Sequence, residues 1–144
     1  MAEPRWVLDT SVAIPWFFTD EPGRQRALAV REDLREDPDR YFVTPLFHAE
    51  LVHVLARKSA RDTRFTSDAL RLVLKLGIRT LQLSEQALLR TAHWACQGLS
   101  GYDATFVALA EDLGGRWLTA DERAARVAGR KVAQTLEAWA GRNG

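Results

Sequence analysis

Short apolar runs alternate with longer stretches of helical period along the whole chain. "RWVLD" (5–9), "YFVTP" (41–45), "RTLQLS" (79–84), "RWLTAD" (116–121) and the weaker "KVAQTL" (131–136) are too brief for helices. Runs of this length suit strands buried on both faces. Between them, residues 66–76 open with capping types and stop at Gly77. Residues 84–97 run from Ser84 to the glycine at 98, and residues 100–113 from Ser100 to the glycine at 114. A polar cap at one end and glycine past the other is the expected punctuation of a helix. Residues 20–36 and 45–60 are two further helix candidates. Alternation of this kind predicts an α/β fold, a three-layer α/β/α sandwich around a mainly parallel sheet of four or five strands. No repeat, low-complexity tract or linker interrupts it, so residues 1–144 read as a single domain. Residues 69–76, "ALRLVLKL", are apolar on more than one face, which fits a wholly internal helix or one shared between core and interface.

Composition narrows the class without naming a function. Apolar residues make up 47% and charged residues 27%, as in ordinary soluble globular domains. The formal charge of +1 offers no global attraction to polyanions, so any such attraction has to come from local patches. The only cysteine, Cys96, excludes an internal disulfide framework and reads as a buried, inert thiol. Asp9 and Pro15 break the apolar stretch near the start, which argues against a signal peptide. No run reaches the roughly 18–20 apolar residues of a membrane span. The expected location is the cytoplasm, away from membranes.

Four acids stand where an α/β fold places its chemistry. Open parallel sheets bind ligands beyond the carboxyl ends of their strands. Asp9 ends the first strand and Asp121 follows the fourth. Glu50 lies in "TPLFHAELVHVLARKSA" with Leu46, Phe47 and Val54 one turn away. Asp103 lies in "GYDATFVALAED", with Phe106, Val107 and Ala110 on the same helical face. Each acid also has a structural reading. Asp9 suits a helix cap, and Glu50 suits a local pair with His53. Asp103 suits a capping box with Ser100, and Thr119 with Glu122 offers another beside Asp121. As a set they resist that explanation. Two carboxylates about 4 Å apart at an effective dielectric near 20 repel by about 4 kcal/mol, so four that converge need a compensating charge. An oxygen-only ligand set favours Mg²⁺ or Mn²⁺ over zinc. The zinc-like "HAELVH" lacks the geometry, because His48 and His53 are five apart and point roughly 140° from each other on a helix. Both, like His93, are expected in core or surface roles.

With those residues in place, "VLDTSV", "AELVHVLAR", "GYDATFVALAEDLG" and "WLTADERAARVA" resemble the PIN-domain ribonucleases, and within them the VapC-type toxins of toxin–antitoxin pairs. The resemblance covers essentially the whole chain, and "YDATFVALAE" followed by "LTAD" is its most specific part. It implies an acidic quartet of Asp9, Glu50, Asp103 and Asp121 holding one or two Mg²⁺ or Mn²⁺ ions. It implies endoribonuclease activity, with a metal-activated water cleaving RNA to a 5′-phosphate and a 3′-hydroxyl. Ser11 and Thr119 match supporting hydroxyl positions. A small VapB-type antitoxin and a homodimer are the implied partners.

The basic run "ARKSARDTR" (56–64) supplies Arg57, Lys58 and Arg61 as candidate contacts to RNA or antitoxin; the bland alternative is a solvated helix end. Arg130 and Lys131 are weaker candidates, and the five tryptophans are expected mostly in the core. A phosphatase of the haloacid-dehalogenase type needs a second Asp where Ser11 stands. A receiver domain needs an Asp ending "RTLQLS". A PIN nuclease of RNA processing without an antitoxin, and a non-hydrolytic acid-pocket signalling or binding module, are the alternatives.

Overall fold

The computed structural model describes residues 3–141. Five parallel strands form one sheet: β1 (Trp6–Leu8), β2 (Tyr41–Val43), β3 (Arg79–Thr80), β4 (Arg116–Thr119) and β5 (Ala133–Thr135). Their spatial order is β3-β2-β1-β4-β5. Successive strands thus step one way from β1 and the other way from β4. Between β1 and β4 the order reverses, and their register pairs Leu8 with Leu118. Such a switch point leaves a crevice at the carboxyl edge, because the connections on its two sides leave in opposite directions.

The helices are α1 (Thr10–Ala13), α2 (Arg24–Glu36), α3 (Pro45–Lys58), α4 (Thr63–Lys75), α5 (Glu85–Cys96), α6 (Gly101–Leu113) and α7 (Glu122–Ala128). α6 packs on β1 and β4, with α5 against it. Covered by sheet and helix, α6 buries Ala104, Phe106, Val107, Ala108, Leu109 and Ala110. α3 packs on α1 and α4. The core of β1, β2 and β4 is buried on both faces, as the unbroken apolar runs predict.

Several boundaries differ from the sequence reading. α4 starts at Thr63 rather than residue 66, because the Asp62 carboxylate caps it by accepting from the Phe65 N–H at 3.0 Å. α2 starts at Arg24, after Gly23 takes a left-handed φ of 75°. The expected buried strand at 79–84 shrinks to the two exposed residues of β3. α1 and α7 are helices too short for an apolar period to announce. α1 stops after one turn because Pro15 has no N–H to donate, and a tight turn over Ile14–Trp16 follows. Trp16 is buried there, its indole N–H donating to the Ala27 carbonyl at 2.7 Å. Cys96 is exposed, not buried, since it falls on the outer face at the end of α5. Leu72 and Leu74 are 57% and 60% exposed, so α4 is not a wholly internal helix.

One buried cation braces the amino side of the sheet. Arg40 bonds to the Asp33 and Asp37 carboxylates and to the Pro4 carbonyl, while the Tyr41 hydroxyl donates to Asp33. A buried guanidinium is tolerated because its donors are met.

At the start of β4, a Cβ on Gly115 would lie 2.5 Å from the Arg5 carbonyl oxygen. Gly115→Ala therefore has to shift backbone and is expected to lower stability by about 1–3 kcal/mol. Gly101→Ala, in open space at the first position of α6, is expected to be neutral or stabilising by up to about 1 kcal/mol. Chemical denaturation of the two variants side by side checks both values.

Candidate metal centre

Asp9 leaves β1 and caps α1. Its carboxylate accepts from the Ser11 N–H at 3.1 Å and from the Ser11 hydroxyl at 2.5 Å. The Ser11 hydroxyl oxygen also accepts from the Ala120 N–H at 2.9 Å and lies 3.4 Å from the Thr119 hydroxyl. The Asp9 N–H donates to the Leu118 carbonyl at 2.9 Å. These bonds lock the ends of β1 and β4 together, so Asp9 and Asp121 occupy opposite lips of the switch-point crevice.

Asp121 is itself the cap of α7, accepting from the Ala124 N–H at 3.0 Å. This corrects the expected Thr119–Glu122 box: the Thr119 hydroxyl instead accepts from the Asp121 N–H at 3.1 Å. Asp103 sits in the first turn of α6, where the Ser100 hydroxyl accepts from its N–H at 3.0 Å. That half of the expected capping box forms, and it sets the Asp103 side chain close enough to feel Asp9 and Asp121. Glu50 comes from the middle of α3. The local ion pair with His53 is absent among the described residues, and Glu50 Oε1 is buried without a hydrogen-bond partner.

The four carboxylates feel one another. Burial pushes Asp9 above the ordinary carboxylate range, against the lowering effect of the Ser11 and Thr119 bonds, and Asp121 pushes it further up. Burial, then Asp9 and Asp103, raise Glu50 to about 7, with the Thr10 hydroxyl acting the other way. Burial, then Asp9 and Asp121, raise Asp103 to about 6, with the Ser100 hydroxyl opposing them. This web of repulsion links acids from four elements, and among the described residues no Lys or Arg stands at ion-pair distance from any of them. The set is open: no three His, Cys, Asp or Glu side chains among the described residues close on a common point. An all-oxygen donor set with an orphaned carboxylate oxygen fits a hard divalent cation.

The remaining candidates separate. Lys58 is occupied by Glu21 at 2.6 Å and by the Phe18 ring. Arg57 and Arg61 line a cavity of about 470 Å³ with His53. Arg61 and its neighbour Ala60 take left-handed φ values of 63° and 56°, uncommon for residues with a Cβ. Thr10 is the one group beside the acids that the sequence leaves unassigned. Its place in "DTSV", next to Asp9, is the only signal for it.

The PIN domain profile matches residues 6–130. The chain belongs to the PIN domain family. No curated protein matches it. Among solved structures, this PIN domain is similar to PAE2754 from Pyrobaculum aerophilum, at 19% identity and TM-score 0.67 over 93% of this chain and 92% of that one. It is also similar to Mycobacterium tuberculosis VapC20, described as a toxin that cleaves the sarcin–ricin loop, at 15% identity and TM-score 0.68 over 88% and 98%. A third is VapBC-1 from nontypeable Haemophilus influenzae, at 15% identity and TM-score 0.63 over 92% and 98%. At these identities the likeness is one of fold.

The raised carboxylates make stability depend on pH. Glu50 and Asp103 hold protons more tightly folded than unfolded, so their stabilising contribution is complete below about pH 4. It is lost as pH climbs through about 6 to 7. Without divalent metal, the melting temperature of this PIN domain is expected to fall as pH rises from about 5 to about 8. Millimolar Mg²⁺ or Mn²⁺ should flatten that slope. Melting curves at several pH values, with and without metal, provide the check.

Proposed function

We propose that this PIN domain is a metal-dependent endoribonuclease and the toxin of a VapBC-type pair. The reading is supported by the mutual repulsion of Asp9, Glu50, Asp103 and Asp121, acids from four elements that, among the described residues, have no Lys or Arg at ion-pair distance. A bound Mg²⁺ or Mn²⁺ supplies Lewis-acid polarisation of a phosphate and lowers the pKa of a water molecule. Asp9, Asp103 and Asp121 would hold it, with Glu50 completing the set. Ser11 fixes the Asp9 carboxylate, and Thr119 fixes the backbone at Asp121, so both keep ligands from turning away. Burial of Asp9 excludes competing water and strengthens its interaction with a cation.

A substrate with a phosphate backbone also needs cations beside the acids. Arg57 stands seven residues beyond Glu50 on α3, hence about 20° away around the axis and about 10 Å along it. With Arg61, His53 and Ala56 it borders the cavity of about 470 Å³. Lys58 is assigned to the fold instead. A VapB-type antitoxin belongs to the reading because VapBC-1, a protein of shared fold, is a VapBC pair; a homodimer belongs to it through the resemblance of the sequence motifs alone. Among the described residues no helix is long and apolar enough to cross a membrane.

The test uses the purified full chain with single-stranded and looped RNA, in Mg²⁺, Mn²⁺ or chelator. Cleavage is expected only with metal, leaving 5′-phosphate ends. Asp103→Asn should lower the rate at least hundredfold, about 2.7 kcal/mol of transition-state stabilisation. The same variant should melt at or above the wild-type temperature in chelator, because it removes one of the mutually repelling charges. A folded Asp103→Asn protein with wild-type cleavage would overturn the site.

A further inference from the structure

A second charged cavity lies at the opposite end of α7 from Asp121. It has a volume of about 550 Å³ and is bordered by Arg116, Arg126, Arg130, Gln134 and Thr135. Three guanidinium groups border it and no carboxylate does. Among the described residues no acid stands at ion-pair distance from any of the three; Glu122, one turn before Arg126 on α7, feels the Arg126 charge.

Arg116 is held rigidly at the floor. One terminal nitrogen donates to the Gln134 side chain, and the other to the Ala133 carbonyl at 2.9 Å. Its Nε is buried and has no partner. Arg126 and Arg130 are exposed at the rim, one on the last turn of α7 and the other just after Gly129. One guanidinium held in place at the floor, with two exposed ones at the rim, offers the forked donors that match phosphate oxygens.

We propose that Arg116, Arg126 and Arg130 form a phosphate subsite that holds the RNA backbone away from the acidic crevice. The source of the phosphate rests on the nuclease reading; the anion site itself stands on the cavity. The lining favours RNA over an acidic peptide. Apart from the arginines it consists of small or polar residues such as Gly129, Gln134 and Thr135, with no large apolar floor on which a peptide side chain could anchor. α7 joins the two places directly: Asp121 caps its first turn, and the cavity closes beneath its last. A strand bound at both ends would lie along the helix, so this subsite serves long substrates and not the shortest ones.

The test compares the full-length wild-type chain with Arg126→Gln/Arg130→Gln, both positions being exposed. Arg116→Gln is the third variant. Affinity for single-stranded RNA is measured in chelator, where the strand stays intact, across a salt series. The double variant is expected to bind about tenfold more weakly. Its salt dependence should become shallower by about 0.7 for each phosphate that it no longer neutralises. Cleavage of a dinucleotide in Mg²⁺ or Mn²⁺ should be unchanged, and so should the melting temperature. If the variant binds long RNA with wild-type affinity and salt dependence, the subsite is wrong, whatever the nuclease result. Should inorganic phosphate alone shift the Arg side-chain Nε resonances while RNA affinity is untouched, the RNA assignment is overturned in favour of a free-anion site. Loss of binding to an acidic antitoxin segment with RNA binding intact overturns it as well. A wild-type chain that binds long RNA through these arginines but cuts nothing would sink the nuclease reading and leave the subsite standing.

Discussion

Repulsion between carboxylates that the fold forces together is the constraint around which this molecule is organised. Asp9 has almost no access to water, and Glu50 and Asp103 are driven toward neutrality by burial and by their neighbours. Folding would normally relieve such a site by turning the side chains outward. Here the means of relief are blocked. Ser11 holds Asp9 by backbone and hydroxyl together, Ala124 holds Asp121, and Ser100 caps the turn that aims Asp103.

The sheet explains why these acids meet. The order reversal between β1 and β4 opens a crevice that no crossover helix fills, and α6 and α3 reach it from their own sites of packing. Ser11 and Thr119 are small enough to sit inside the gap and bond across it. Neither this bond nor the one from the Ala120 N–H to the Ser11 hydroxyl is strong alone, at about 1 kcal/mol net. Their value lies in fixing two strand ends separated by most of the chain.

Much of the fold is legible in the sequence because its signals are local. Unbroken apolar runs mark β1, β2 and β4, while Ser84 and Ser100 with the glycines at 98 and 114 mark α5 and α6. What stays hidden depends on neighbours. β3 is two exposed residues that pair only because β2 offers an edge, and α7 is too short to show a period. Cys96 reads as buried because it lies in an apolar segment, but α5 turns that position outward. At the candidate site, strand-end positions and one helical face point to the acids without any fold in hand. The role of Asp121 as its own cap is masked because Thr119 and Glu122 match the same motif better. Arg116 reads as a strand residue; its guanidinium becomes notable only once β5 and α7 enclose it.

The pairing of β1 with β4 carries a consequence for synthesis. Asp9 emerges from the ribosome more than a hundred residues before its backbone partner Leu118 and its neighbour Asp121. Contacts this distant in sequence form late, after the intervening chain has collapsed. A nascent chain therefore carries an unassembled cleft until β4 has been made, and a fragment that stops short of β4 lacks its acid as well. Connectivity alone thus makes the acidic cleft one of the last features of this domain to form.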